Sequence, residues 1–145
     1  WNNIDFITIA YGTNDIATGM SLDNDENIKD INTILGALRY SIEKILTAYP
    51  HIKILILTPI YRYWNDEDLD SDSKTFAAGT FVNLVDGILG VAEEYKIPAV
   101  DMYRTPGFNS ITRSYYFPSN DGTHPNSKGL QLMGGKIAGR LLAEY

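Results

Sequence analysis

The sequence contains no cysteine among its 145 residues. Disulfide bonds, zinc binding through thiolates and thiol catalysis are therefore excluded. No apolar run approaches the roughly 20 residues that cross a bilayer, so no membrane span is expected. Basic residues are also scarce, with 12 Lys and Arg against 18 Asp and Glu and a net charge of −6. Because such a chain gains little from counterion release on a phosphate backbone, no nucleic acid partner is expected.

What is present is the composition of a globular domain. Apolar residues make up 44% of the chain and charged residues 21%, close to the usual values for globular proteins. The length suits one domain with a sizeable core, so we interpret residues 1–145 as a single domain. The chain opens at Trp1 and enters an apolar strand within a few residues. Because a domain rarely begins in a strand, we expect the chain to be the C-terminal portion of a longer domain.

Short apolar segments alternate with longer amphipathic ones along the chain, which is typical of a parallel α/β architecture. Strands are predicted at residues 4–10, 52–57 and 97–100. Helices are predicted at residues 27–48 and 76–95 and from near Pro125 onward. This order predicts a doubly wound parallel sheet with helices on both faces. Ligands of such sheets bind beyond the carboxyl ends of the strands.

A carboxylate and an imidazole lie three residues apart before the last predicted helix, at Asp121 and His124. With the flexible Gly122 between them, the carboxylate can fold back to accept a hydrogen bond from the imidazole Nδ1. That bond would fix the tautomer and leave Nε2 free as a general base. The alternative is that both residues are only loop and cap residues beside a helix.

A second polar cluster, Gly12-Thr13-Asn14-Asp15, follows the first predicted strand. Gly12 permits close approach of the backbone, and the Asn14 amide can donate to a developing oxyanion. The alternative is an ordinary turn, because Asn and Asp bond readily to their own backbone. The joint occurrence of both clusters at ligand-facing loop positions favours a catalytic site.

These two segments resemble conserved blocks of a known family. Gly12-x-Asn14-Asp15 after a strand, and Asp121-x-x-His124 before a terminal helix, are similar to the third and fifth blocks of the SGNH hydrolases, also called GDSL-type esterases and lipases. The resemblance implies a three-layer, flavodoxin-like sheet. It also implies that the Gly12 N–H and the Asn14 side chain form the oxyanion hole, and that Asp121 orients His124 as the base.

The resemblance also exposes a gap, because the nucleophilic serine of that family lies in a Gly-Asp-Ser block that this sequence lacks. No serine of the chain has that context or directly follows a strand. The eight serines are Ser21, Ser41, Ser71, Ser73, Ser110, Ser114, Ser119 and Ser127. The resemblance therefore implies that the first strands are missing, in a unit of about 30 residues or more.

The first predicted strand, which opens on Ile4 and closes on Ala10, would then be an edge with unpaired backbone groups. We expect it to pair with the missing N-terminal segment or with another copy of this chain. In a damaged fragment the edge would face solvent.

The resemblance implies a serine ester hydrolase of the Ser-His-Asp type that needs no metal or organic cofactor. Its substrate would be a small ester or an acylated carbohydrate, and a carbohydrate deacetylase is one form of that activity. Without the serine, this chain alone is predicted to be nearly inactive. Two other functions stay open: a non-catalytic carbohydrate-binding or interaction module on the same fold, and a sugar O-acyltransferase.

Aromatic residues cluster near both motifs. Tyr61, Tyr63 and Trp64 follow the second predicted strand, and Tyr116 lies just upstream of Asp121. Aromatic faces suit sugars and acyl groups, so these four residues are candidates for a substrate-lining surface. The alternative is that the rings pack the long loops onto the sheet or form a subunit contact.

Overall fold

The computed structural model describes residues 4–144, so the prediction made at Trp1 lies outside the described residues. The described residues form seven strands and five helices. The strands are β1 Phe6–Ala10, β2 Lys53–Leu57, β3 Tyr63–Trp64, β4 Leu69–Asp70, β5 Thr75–Phe76, β6 Gly79–Thr80 and β7 Ala99–Val100. The helices are α1 Thr13–Ala17, α2 Ile34–Ala48, α3 Phe81–Glu94, α4 Arg113–Tyr116 and α5 Ser127–Glu144.

A parallel sheet of order β1-β2-β7 forms the centre of the molecule. Alternate residues of β2 point to opposite faces. Ile54 and Ile56 pack into the larger apolar cluster with buried residues of α2 and α3. Leu55 and Leu57 pack on the other side, in a smaller cluster that α5 covers. The predicted parallel α/β architecture with helices on both faces is therefore confirmed.

Helix α2 begins seven residues later than predicted, at Ile34 rather than at residue 27. The segment before it forms turns closed by side chains: Asn24 Oδ1 accepts from the Asn27 N–H, and Asp30 Oδ1 accepts from the Asn32 N–H. Such local bonds compete with helix formation. Ile31, which the helical pattern assigns to the buried stripe, is 59% exposed.

Helix α3 begins at Phe81, five residues after its predicted start, because residues 75–80 form the antiparallel hairpin β5–β6. Thr80 caps the helix: its hydroxyl accepts from the Asn83 N–H, while the Asn83 side chain accepts from the Thr80 N–H. The loop predicted after β2 also contains a hairpin, β3–β4, which joins Tyr63 to Asp70.

Helix α5 covers its face of the sheet incompletely. Met133, Ile137 and Leu141 pack on the sheet as predicted, but Leu130, the fourth residue of the predicted stripe, is largely exposed. On β1, the residues that alternate with the half-buried Ile7 and Ile9 are exposed, including Phe6. None of the helices within residues 4–144 has the length and apolar character needed to span a membrane.

Candidate active site

A cleft of about 390 Å³ opens at the carboxyl ends of β1 and β2, where the fold predicts ligand binding. Gly12 is the N-cap residue of helix α1 and has φ 106°, a conformation that favours glycine. Asn14 lies in the first turn of this short helix, and its side chain makes no hydrogen bond within the described residues. The lining residues are Ala10, Tyr11, Gly12, Thr13, Asn14, Asp15, Leu57, Thr58, Pro59, Ile60, Met102 and Met133.

Tyr11 lines this cleft and connects it to helix α2. Its hydroxyl donates to the Ile34 carbonyl in the first turn of α2. Burial raises the pKa of the Tyr11 phenol well above its usual range, and the nearby charge of Asp15 acts in the same direction. The phenol therefore stays protonated and serves as a donor that ties the end of β1 to α2.

The Asp121 carboxylate and the His124 ring are joined by a direct hydrogen bond. Asp121 Oδ2 lies 2.8 Å from His124 Nδ1, and Asp121 Oδ1 accepts from the backbone N–H groups of Thr123 at 2.7 Å and His124 at 3.0 Å. Because an ionised carboxylate only accepts, Nδ1 is the donor and Nε2 is the basic nitrogen. The His124 side chain is 81% exposed, so Nε2 is open to an incoming hydroxyl.

These bonds hold the Asp121 carboxylate in its ionised form. They lower its pKa to about 2, the His124 N–H contributing most, then the Thr123 N–H and the His124 ring. The carboxylate is therefore charged throughout the neutral range. A negative charge held at 2.8 Å can orient the imidazole and stabilise an imidazolium.

A close backbone contact fixes this loop against hairpin β3–β4. The Tyr63 N–H donates to the Gly122 carbonyl at 2.9 Å. A Cβ on Gly122 would collide with the Tyr63 carbonyl oxygen and lie 2.7 Å from Tyr63 Cβ. Only glycine fits there without a shift of the backbone, so Gly122 allows the hairpin to position the Asp121–His124 loop.

Asp121 lines a second cleft of about 250 Å³, distinct from the one at the end of β1. Its lining residues are Arg62, Tyr63, Trp64, Asn65, Asp66, Glu67, Asn120, Asp121, Gly122 and Thr123. The structure thus brings Gly12 together with Asn14 at one cleft and places Asp121 at the other. His124 is bonded to Asp121 but lines neither of these two clefts. Among the described residues, neither Asp121 nor His124 lines the first cleft.

The four aromatic candidates separate into two groups. Tyr63 and Trp64 line the second cleft. Tyr61 is only 2% exposed and its hydroxyl donates to Asp70 at 3.0 Å, so the packing interpretation holds for its ring. Tyr116 packs against Phe108, with ring centroids 5.2 Å apart, and lines neither of these two clefts.

Seven of the ten residues that line the second cleft were not predicted as site residues, and two of them, Gly122 and Arg62, have contacts that bear on the site. The sequence predicted only a flexible link at Gly122, whereas in the structure this residue allows the backbone to approach Tyr63 closely. For Arg62, a member of the aromatic run after the second strand, the sequence predicted no role of its own. The available signal was a single basic residue inside the aromatic run Tyr61-Arg62-Tyr63-Trp64, because an isolated charge among aromatic residues needs a specific partner. Within residues 4–144, no group of three or more His, Asp or Glu side chains has the arrangement of a metal site.

Comparison with known proteins identifies a family. Residues 1–132 match the family model described as the GDSL-like lipase/acylhydrolase family. No curated protein gives a significant match.

Several solved structures share the fold. For one of them the TM-score is 0.82 and the sequence identity is 26%. The alignment covers 97% of this chain and 65% of the other protein's chain. A possible lipase from Chitinophaga pinensis has a TM-score of 0.71 and 21% identity over 97% of this chain and 74% of its own. A catalytic mutant of an acetylxylan esterase from Geobacillus stearothermophilus has a TM-score of 0.58 and 19% identity over 94% of this chain and 58% of its own. This chain therefore spans less than two thirds of the length of the first of these proteins and of the acetylxylan esterase.

Proposed function

Because this chain belongs to the GDSL-like lipase/acylhydrolase family, we propose that it supplies the acid–base pair and the oxyanion hole of a serine ester hydrolase. The observation that carries the proposal is the 2.8 Å bond between Asp121 Oδ2 and His124 Nδ1, on a His124 side chain that is 81% exposed. That is the geometry a general base requires.

In the proposed reaction a serine hydroxyl attacks the ester carbonyl while His124 Nε2 accepts its proton. The C–O bond to the leaving alcohol then breaks, and the imidazolium returns the proton to that alcohol. Asp121 stabilises the imidazolium between these two steps. The Gly12 N–H and the Asn14 amide donate to the oxyanion of the tetrahedral intermediate. Water hydrolyses the acyl-enzyme by the same proton transfers, and no metal or organic cofactor takes part.

The serine is proposed to come from a segment that this sequence does not contain. None of the eight serines lies in a Gly-Asp-Ser context. Among the described residues β1 is bonded to β2 alone, which leaves its other edge free to accept a strand from that segment or from another copy of the chain. The chain by itself is accordingly proposed to be nearly inactive.

Small esters and acylated carbohydrates are the proposed substrates. The similarity to the acetylxylan esterase from Geobacillus stearothermophilus extends to the fold. The amide and hydroxyl groups of Asn65, Asn120 and Thr123 in the second cleft could bond to sugar hydroxyls. Acyl transfer to a sugar hydroxyl would use the same groups, so the products formed with a competing sugar acceptor separate hydrolase from acyltransferase.

The experiment supplies the missing nucleophile. A strand followed by Gly-Asp-Ser, joined ahead of residue 1, should give hydrolysis of p-nitrophenyl acetate and labelling by a fluorophosphonate. The chain alone should give neither. His124→Ala in the active form should lower kcat at least about a thousand-fold, whereas His51→Ala, which changes the only other histidine, should leave it unaltered.

Two results would contradict the proposal. Undiminished hydrolysis in the His124→Ala variant would remove the assigned base. Fluorophosphonate labelling of the chain alone would mean that one of its own eight serines is the nucleophile. A well-folded active-site assembly without hydrolysis would favour the non-catalytic binding module.

A further inference from the structure

Arg62 is anchored in the wall of the second cleft by its backbone. Its N–H donates to the Ser71 hydroxyl at 2.8 Å, and its carbonyl accepts from the Ser71 N–H at 3.0 Å. Ser71 itself is buried. Because both backbone groups of Arg62 are bonded to one buried residue, the side chain leaves the backbone from a fixed point.

The guanidinium of Arg62 lacks the partners that arginine normally has when shielded from water. Its Cζ lies 4.3 Å from the centre of the Trp64 ring. Nε and Nη1 are buried, and neither has a hydrogen-bond partner within the described residues. The other four arginines all bond to carboxylate or amide oxygens, and these are Arg39, Arg104, Arg113 and Arg140. A buried donor without an acceptor is costly, at about 1–3 kcal/mol and more for a charged group, so an acceptor from outside the chain would relieve it.

The three carboxylates that line the second cleft leave the buried donors of Arg62 without an acceptor. Asp121 is already bonded to three N–H groups, and Glu67 forms an ion pair with Lys74. Asp66 is exposed. Burial lowers the pKa of the Arg62 guanidinium and the charge of Asp121 opposes that change, but arginine keeps its proton in either case. Within the described residues, Arg62 therefore forms no ion pair, and its buried Nε and Nη1 donors have no acceptor.

We propose that Arg62 is an anion-binding residue of the second cleft and holds the carboxylate of a hydroxylated acid, with the amide of Asn120 and the Thr123 hydroxyl lining the same cleft for its hydroxyl groups. Charge-assisted hydrogen bonds to a carboxylate are roughly twice as strong as those to a neutral oxygen. Any role of this carboxylate site in catalysis rests on the proposed function. In that case the ester that is cleaved next to Asp121 would carry a carboxylate on its sugar or alcohol part.

The test measures binding to the chain as it stands, so it needs no catalysis. The probes are glucuronate and glucose, which differ by a carboxylate. Arginine Nε–H signals in ¹⁵N NMR spectra report all five arginines separately. We expect glucuronate to shift the Arg62 signal saturably and glucose to leave it in place. Arg62→Met should weaken glucuronate binding at least about tenfold, and Arg62→Lys should retain part of it through its point charge.

Arg140→Met is the matched control, because it removes the same charge from α5, where Arg140 pairs with Glu144. It should bind glucuronate as the unaltered chain does. Equal binding of glucose and glucuronate, equal weakening by Arg140→Met, or full binding by a folded Arg62→Met variant would overturn the proposal. None of these results depends on ester hydrolysis, so a failure here is distinct from a failure of the proposed function.

Discussion

At the scale of single residues, the Asp121–His124 pair is set by its nearest neighbours. All three hydrogen bonds to the Asp121 carboxylate come from Thr123 and His124. This locality is why the pair could be predicted from the sequence. Arg62 could not be predicted in the same way, because the cleft that it shares with Asp121 is formed by segments that are remote along the chain.

The pH dependence of stability follows from the same bonds. The pKa of Asp121 is lowered from an ordinary value of 3.8 to about 2 in the folded chain. A depressed carboxyl pKa contributes stability that is fully present above about 3.8 and is lost as the pH falls toward 2. We expect the ¹³C carboxyl signal of Asp121 to titrate near pH 2 and the unfolding free energy to fall across that interval. In Asp121→Asn this part of the fall should disappear, and a titration midpoint near 4 would contradict the assignment.

At the scale of elements, the three parallel strands were predictable and the two hairpins were not. The three parallel strands lie close to their predicted positions because continuous apolar runs such as Ile54-Leu55-Ile56-Leu57 identify buried strands. The two hairpins have strands of only two residues, too short to show a period. The early turns before α2 were missed because Asn and Asp side chains displaced a helical pattern that the apolar spacing favoured.

The contact between the Asp121–His124 loop and hairpin β3–β4 gives a prediction at this scale. Gly122→Ala would force a methyl group against Tyr63. Such overpacking costs about 1–3 kcal/mol, which denaturant unfolding measures directly. In the serine-complemented form we also expect a lower kcat, because the loop must move away from the hairpin.

Gly90→Ala is the matched control. Gly90 lies in α3, and a Cβ there meets no atom within 4 Å. Alanine should stabilise that helix by about 0.5–1 kcal/mol. If both variants were equally stable, the close approach of Gly122 to Tyr63 would not constrain the loop.

At the scale of the whole molecule, the two faces of the sheet are covered unequally. Helices α2 and α3 bury one face, whereas α5 is the helix that packs on the other. Phe6, Leu130 and Leu142 are exposed large apolar residues on β1 and α5. The layered architecture and the edge position of the first strand could be predicted from the sequence. The imbalance could not, because the helical pattern assigns Leu130 of α5 to the buried stripe whereas it is exposed.

An unpaired strand edge beside exposed apolar residues predicts self-association of the isolated chain. We expect its mass, measured by light scattering, to rise with concentration. Thr8→Lys places a charge on the exposed face of β1 and should shift the association to higher concentrations. Thr47→Lys adds the same charge to an exposed position of α2 and should have little effect. A chain that stays monomeric at every concentration would rule out pairing between copies.

The bond from the Tyr63 amide to the Gly122 carbonyl has a use beyond positioning. That amide proton is protected only while the loop bearing His124 rests on the hairpin. The rate at which this amide exchanges with deuterium therefore measures how often the loop separates from the hairpin, and the measurement needs no substrate. The exchange rate of this one amide thus reports the fraction of time that the loop with His124 is in its docked position.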